Sequence, residues 1–155
     1  MHFLIDGYDL LFFLDDSVHS LQKQREKLCH WLQKKFIEHG YLGTIIFDGS
    51  FISGEISGLS YQFPLEIVYT PSGQNADNWI TERVEIEKNR NDLIVVTNDK
   101  GLRRHIQSLH GKIISNHSFL QKFNKKYPSS EKKLFKISDK EIERLRKIFE
   151  DKLEF

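Results

Sequence analysis

The chain has 155 residues, with 23 Lys or Arg against 22 Asp or Glu, a formal charge of +1, and 39% hydrophobic and 29% charged residues. A chain of this length buries roughly 70% of the surface it exposes when unfolded, and the hydrophobic fraction is too high for disorder, so one soluble domain over residues 1–155 is expected. Its apolar runs fall far short of the ~20 residues that span a bilayer, which excludes a membrane helix or signal peptide, and the lone Cys29 excludes an internal disulfide and a cysteine metal site and fits a buried thiol in a reducing cytoplasm.

Taken in chain order, the apolar run Phe3-Leu4-Ile5, ending at Asp6-Gly7, predicts a first strand. Leu21, Leu28, Trp31, Leu32 and Phe36 then recur at helical spacing, which predicts a helix over 17–39 with Gly40 placed to stop it. Thr44-Ile45-Ile46-Phe47, ending at Asp48-Gly49, repeats the form of the first strand. The stretch 50–63 is rich in Gly and Ser and predicts a loop. Leu65-Glu66-Ile67-Val68-Tyr69 reads as a third strand closed by Pro71-Ser72-Gly73, and a helix bearing Ile80 and Val84 begins near Asn75. Leu93-Ile94-Val95-Val96-Thr97 is a fourth strand closed by Asn98-Asp99. Leu102, Ile106 and Leu109 form one helical stripe, and Lys112-Ile113-Ile114 is a weaker fifth strand. Ser138 with Glu141 makes a capping box for a C-terminal helix over 138–153. Fully apolar strands alternating with helices imply an α/β fold whose parallel sheet is covered on both faces.

In such a sheet ligands gather outside the carboxyl ends of the strands. Asp6, Asp48 and Asp99 each sit at that end of a predicted strand, and Asp77 opens the helix after the third. Singly, Asp77 reads equally as a helix cap and Asp48 as a turn residue before Gly49. As a set they demand a counter-charge, because two unit charges about 4 Å apart repel by about 4 kcal/mol at an effective dielectric near 20. All-oxygen ligation, with the histidines scattered and no Cys or His spacing for zinc, favours Mg²⁺ or Mn²⁺. A divalent ion that lowers the pKa of bound water and neutralises a leaving oxygen suits phosphodiester hydrolysis.

Asp6-Gly7-Tyr8-Asp9, Phe47-Asp48-Gly49, Val68-Tyr69-Thr70 leading to Asn75-Ala76-Asp77, and Val95-Val96-Thr97-Asn98-Asp99, in this order, resemble the NYN/PIN-like nuclease superfamily, and within it the YacP-like branch of bacterial NYN domains. The resemblance implies a three-layer α/β/α, PIN-like fold with a mostly parallel central sheet. It further implies a metal-dependent endoribonuclease acting on mRNA, with the ribosome as a partner. It places Asp6, Asp77 and Asp99 on the family's catalytic, metal-binding positions and Asp48 on an acidic position at the end of the second strand. Two departures stand out. Asp9 replaces the family's usual Asn, where it either adds charge at the mouth of the metal site or caps a helix. Asn78 and Thr81 replace the usual glutamates one and four residues after Asp77, and Glu82, one residue late, is rotated about 100° around the helix.

Position also reinterprets the net charge. Residues 1–120 carry −3, whereas 121–155 carry +4. Arg103, Arg104, Lys122, Lys125, Lys126, Lys132 and Lys133 fall in the basic stretch, with Phe123, Tyr127 and Phe135 among them. The segment 121–137 reads either as a solvated lysine-rich loop or as a surface that tracks phosphates and stacks unpaired bases. The reading that joins both halves is an Mg²⁺- or Mn²⁺-dependent endoribonuclease for single-stranded RNA, with metal on Asp6, Asp9, Asp48, Asp77 and Asp99. A catalytically weak RNA- or ribosome-binding module of the same fold is the alternative. A haloacid-dehalogenase-like phosphatase ranks below both, because Tyr8 stands where its second Asp belongs.

Overall fold

The structure is a computed structural model and describes residues 1–14, 20–49, 58–71 and 73–124. Its elements run β1 (His2–Asp6), α1 (Gly7–Leu14), α2 (Leu21–His39), β2 (Leu42–Phe47), β3 (Gly58–Gln62), β4 (Leu65–Tyr69), α3 (Ala76–Ile86), β5 (Leu93–Val96), α4 (Lys100–Ser108), β6 (Lys112–Ile114) and α5 (Asn116–Asn124). The six strands form one sheet in the order β3-β4-β2-β1-β5-β6. Five are parallel, and β3 alone runs antiparallel, against β4. Strand β1 is central, with Ile5 paired to Ile45 on one side and to Val96 on the other.

Both faces of the sheet are covered, which is why its inner strands read as unbroken apolar runs. Leu10 and Leu14 of α1, Leu28, Trp31, Leu32 and Phe36 of α2, and Phe119, Leu120 and Phe123 of α5 pack on the face carrying Phe3, Ile5, Ile45 and Phe47. Ala76, Ile80 and Val84 of α3 and Leu102 and Ile106 of α4 pack on the opposite face against Leu4, Ile46, Val68 and Val95. This is the expected α/β/α sandwich. Helix α2 ends where the sequence places its stop, with Gly40 left-handed at φ 69° and its N–H bonded to the Phe36 carbonyl. Burial pushes the Cys29 thiol up to about 12, so it is an inert core group.

Three elements differ from the sequence expectation. The predicted loop 50–63 contains β3. An edge strand is paired on one side only and needs no continuous apolar run, so its Gly and Ser content concealed it. Helix α1 shows no amphipathic period in sequence because Phe12 and Phe13 on its less buried side are as apolar as Leu10, Leu11 and Leu14 on the buried one. Helix α5 lies where only a basic segment was expected. It is capped by Ser115, whose Oγ accepts the Ser118 N–H at 3.1 Å, and anchored by Phe119 against Phe3 at a ring separation of 5.3 Å. The start of the helix predicted over 17–39, most of the basic segment (125–137) and the C-terminal helix (138–153) lie outside the described residues. No described helix is long and apolar enough to cross a membrane.

The strand order positions the site. From β1 the chain moves outward through β2 to β4, then crosses back to β5 and on to β6, so the connections diverge between β1 and β5. The carboxyl ends at such a divergence leave a crevice with no connection running over it.

Candidate functional site

Asp6 is the last residue of β1. It shares the alternation of Leu4 and therefore faces the α3/α4 side, where it is only 8% exposed. The next residue has to be Gly7, because a Cβ there would stand 2.5 Å from the Phe47 ring and 2.7 Å from the Ile46 carbonyl oxygen. Asp77 is the second residue of α3. Its expected alternative as a cap is overturned: Asn75 caps the helix, its Oδ1 accepting the Asn78 N–H at 2.8 Å. Asp99 does cap α4, through Oδ1 and the Leu102 N–H at 2.9 Å.

Thr97, fully buried between these acids, ties two of them together. Its Oγ1 accepts the Asp99 N–H at 3.1 Å and offers its single proton to Asp6 Oδ2 at 3.2 Å, with Asp9 Oδ2 at 3.4 Å as the competing acceptor. Asp9 is neither a helix cap nor a loose extra charge. Its Oδ2 accepts the Asn98 backbone N–H at 2.7 Å and the Asn116 side-chain Nδ2 at 2.9 Å. Asn116, with no exposed surface, also donates its backbone N–H to Asn98 Oδ1 at 3.0 Å. These ties bind α1, the β5–α4 turn and α5 into one cluster. Thr97, Asn98 and Asn116 were not foreseen as site residues; the Val-Val-Thr-Asn-Asp motif contains two of them but does not disclose their contacts.

The electrostatics reflect four acids crowded at the strand ends. Burial, then the charges of Asp9, Asp77 and Asp99, raise the Asp6 carboxyl to about 7, against a smaller downward pull from the Thr97 hydroxyl. Burial, then Asp99, Asp9 and Asp48, raise Asp77. The charges that raise Asp6 and Asp77 are those of other carboxylates. Lys35–Glu38 and Arg83–Glu87, ion pairs among the described residues, involve neither Asp6, Asp9, Asp77 nor Asp99.

Such a set fits a hard divalent cation in both charge and donor type. No three His, Cys, Asp or Glu side chains among the described residues close a cage unaided. An Mg²⁺ ion bound at these carboxylates would therefore need waters and substrate phosphate oxygens to complete its shell.

The remaining candidates separate into groups. Asp48 follows β2 and acts on Asp77 and on Tyr8, but is not among the charges that move Asp6. Thr81 spends its hydroxyl on the Asp77 carbonyl at 2.8 Å, and exposed Glu82 accepts from Gln74 at 3.3 Å, so neither substitutes for the family's glutamates. Arg103 is half-buried and Arg104 exposed in the first turns of α4, and Lys122 is half-buried in the last turn of α5. Lys125, Lys126, Lys132 and Lys133 lie outside the described residues.

One further buried charge shapes the site from behind. Arg25 of α2, 8% exposed, donates from Nη1 to the Tyr8 hydroxyl at 3.0 Å and lies over the Tyr69 ring at 5.9 Å. It thereby fixes α1 between Asp6 and Asp9. Tyr8→Phe removes that acceptor and is expected to cost ~1–3 kcal/mol in denaturant unfolding. A change within about 0.5 kcal/mol, the spread of an ordinary surface substitution, would show that the pair anchors nothing.

The comparisons with known proteins agree with this architecture. The crystal structure of Rae1 (YacP) from Bacillus subtilis superposes with a TM-score of 0.65 at 18% identity, over 98% of this chain and 83% of that one. A point mutant of the same protein gives 0.64 at 17% identity, over 80% and 75%. Identities this low speak to the fold alone. No curated protein matches the sequence. The family model for the YacP-like NYN domain matches residues 3–154, nearly the whole chain, and the protein therefore belongs to the YacP-like NYN domain family, a nuclease-type family directed at RNA.

Proposed function

We propose that the protein is an Mg²⁺- or Mn²⁺-dependent endoribonuclease that cleaves single-stranded or locally unpaired RNA, mRNA included, in the cytoplasm and in association with the ribosome. One NYN domain spanning the chain carries the activity. The observation behind this reading is the group of mutually repelling carboxylates, Asp6, Asp9, Asp77 and Asp99, at the point where the strand connections diverge.

When bound, the divalent ion supplies Lewis-acid activation of water and neutralisation of the leaving oxygen. Asp6, Asp77 and Asp99 hold it, with Asp9 and Asp48 contributing directly or through water. Thr97 orients the Asp6 carboxylate through its 3.2 Å hydrogen bond, and the buried floor under Asp6 limits competing water. Arg103 and Arg104 follow Asp99 by about one helical turn, within reach of the phosphates that flank a scissile bond. Lys122, Lys125, Lys126, Lys132 and Lys133 extend that basic track and hold the RNA backbone.

A second reading, an RNA- or ribosome-binding module with weak turnover, draws on Thr81, whose hydroxyl is committed to the Asp77 carbonyl. One assay separates the two. Purified protein with unstructured RNA is expected to cleave in Mn²⁺ or Mg²⁺, and to stop in excess EDTA or as Asp99→Asn. Salt-sensitive RNA binding with no cleavage under either ion would establish the binding module instead.

A further inference from the structure

We propose that Asn116 is a positioning residue for the metal site, acting through Asp9; the inference rests on the metal-dependent reading above. The Asp9 carboxylate is the charge that acts most strongly on Asp6, yet Asp9 sits on α1 and not on a strand, so something other than the sheet must fix where that charge points. The fixing groups are on the page. Asn98 N–H at 2.7 Å and Asn116 Nδ2 at 2.9 Å converge on the same oxygen, Oδ2, with Thr97 Oγ1 at 3.4 Å. The backbone donor at Asn98 cannot turn away. Asn116 supplies the other strong donor and is itself immobilised by its own N–H on Asn98 Oδ1, by burial, and by its place in the first turn of α5.

With Oδ2 committed to protein donors, Oδ1 is the oxygen of Asp9 left to meet a cation or its water shell. The arrangement matches the outer groups of metal sites, which orient a ligating carboxylate and whose loss typically costs about 10–100-fold in metal affinity or activity. Asn116 Oδ1 is buried with no hydrogen-bond partner among the described residues, so what the side chain's polar end contributes is its donor to Asp9. Removing that donor would leave Asp9 Oδ2 with only the Asn98 N–H and the longer Thr97 contact, so the bond carries stability as well as orientation, and metal affinity read beside the melting temperature separates the two.

The test follows from that separation. Asn116→Leu keeps the branched shape, at a larger volume, and the backbone bond to Asn98 while removing both the donor and the orphan acceptor. Mn²⁺ affinity, read by the electron paramagnetic resonance of free ion, is expected to weaken about tenfold or more. Turnover on unstructured RNA falls alongside it, KM for RNA changes less than twofold, and the metal-free melting temperature stays within a few degrees. Equal Mn²⁺ affinity and turnover in the variant and the unmodified protein would overturn the positioning role alone. If the unmodified protein itself takes up no Mn²⁺, the nuclease reading fails and takes this inference with it.

Should Asn116→Leu not fold, the unmodified protein still decides. Titrating Mg²⁺ into ¹⁵N-labelled protein is expected to shift the Asn116 side-chain amide and the Asn98 backbone amide together. If both stay still at an Mg²⁺ concentration that shifts the amides of Gly7 and Gly101, Asn116 does not act on the site.

Discussion

Asp6→Asn is expected to abolish RNA cleavage and, in the same molecule, to raise the melting temperature of the metal-free protein at pH 8. Losing a carboxylate that holds the ion removes several kcal/mol of transition-state stabilisation, which at about 1.4 kcal/mol per decade is a drop of roughly 10²–10⁴-fold in turnover. The stability gain has a separate origin. Asp6 lies buried beside Asp9, Asp77 and Asp99, and its carboxyl is raised to about 7 from an ordinary 3.8. At pH 8 it is ionised in both folded and unfolded chains, and the folded state bears a cost on the order of several kcal/mol, or roughly 5–10 °C in melting temperature for a chain of this size. Asparagine keeps the shape and an acceptor for the Thr97 hydroxyl but removes the charge. Near pH 5 the gain should shrink, since Asp6 is already protonated in the folded protein. An Asp6→Asn variant less stable at pH 8 than the unmodified protein would show that this carboxylate anchors the fold instead of straining it.

The second large effect concerns pH and divalent ions in the unmodified protein. A carboxyl whose folded pKa is raised contributes stability below its unfolded pKa and loses it as pH climbs through the folded value. For Asp6 that window runs from about 4 to about 7, and the raised Asp77 acts in the same direction. His2 opposes them. Burial first, then Arg83, lowers its pKa, so the fold resists its protonation, and that penalty is relieved as pH rises toward the usual 6.5 and is gone above it. The difference between the unmodified protein and Asp6→Asn removes the His2 contribution, and that difference is expected to widen steadily from pH 4.5 to 7.5.

Mn²⁺ or Mg²⁺ at about a hundred times its dissociation constant should return about 2.7 kcal/mol. The ion should raise the melting temperature by several degrees at pH 8 and by far less at pH 5, where protons compete for Asp6. Equal shifts at both pH values would place the ion away from these acids.

How far the sequence discloses this depends on the range of each interaction. The inner strands are legible because two-sided burial leaves nothing polar in Phe3-Leu4-Ile5 or Leu93-Ile94-Val95-Val96, and the acids at their ends follow from the strand boundaries. Local chemistry also reads well, as in the left-handed Gly40. Edge strand β3 and the short helices α1 and α5 do not: a one-sided strand imposes no apolar run, α1 is apolar on its exposed side as well, and the stripe Phe119, Leu120 and Phe123 of α5 is too short to stand out from the basic stretch it enters. The site is legible in its charges and illegible in its supports. Asp9 meets Asn98 across 89 positions of the chain and Asn116 across 107, and nothing near Asp9 in sequence announces either partner. Arg25 is hidden for a different reason: within α2 it resembles any solvated helix cation, and only the placement of Tyr8 and Tyr69 turns it inward.

The central place of β1 has a consequence for the order of assembly. Strand β1 is made before both its neighbours and can pair with β2 early, yet its other edge stays open until β5 docks, more than eighty residues later. Until then Asp6 faces water, unstrained and without its acidic neighbours, and Asp9 lacks Asn98 and Asn116. The acids come together only once Asp99 has been made, and Asp9 gains its second donor only with α5, so a chain cut before β5 carries the first aspartates without the site they belong to.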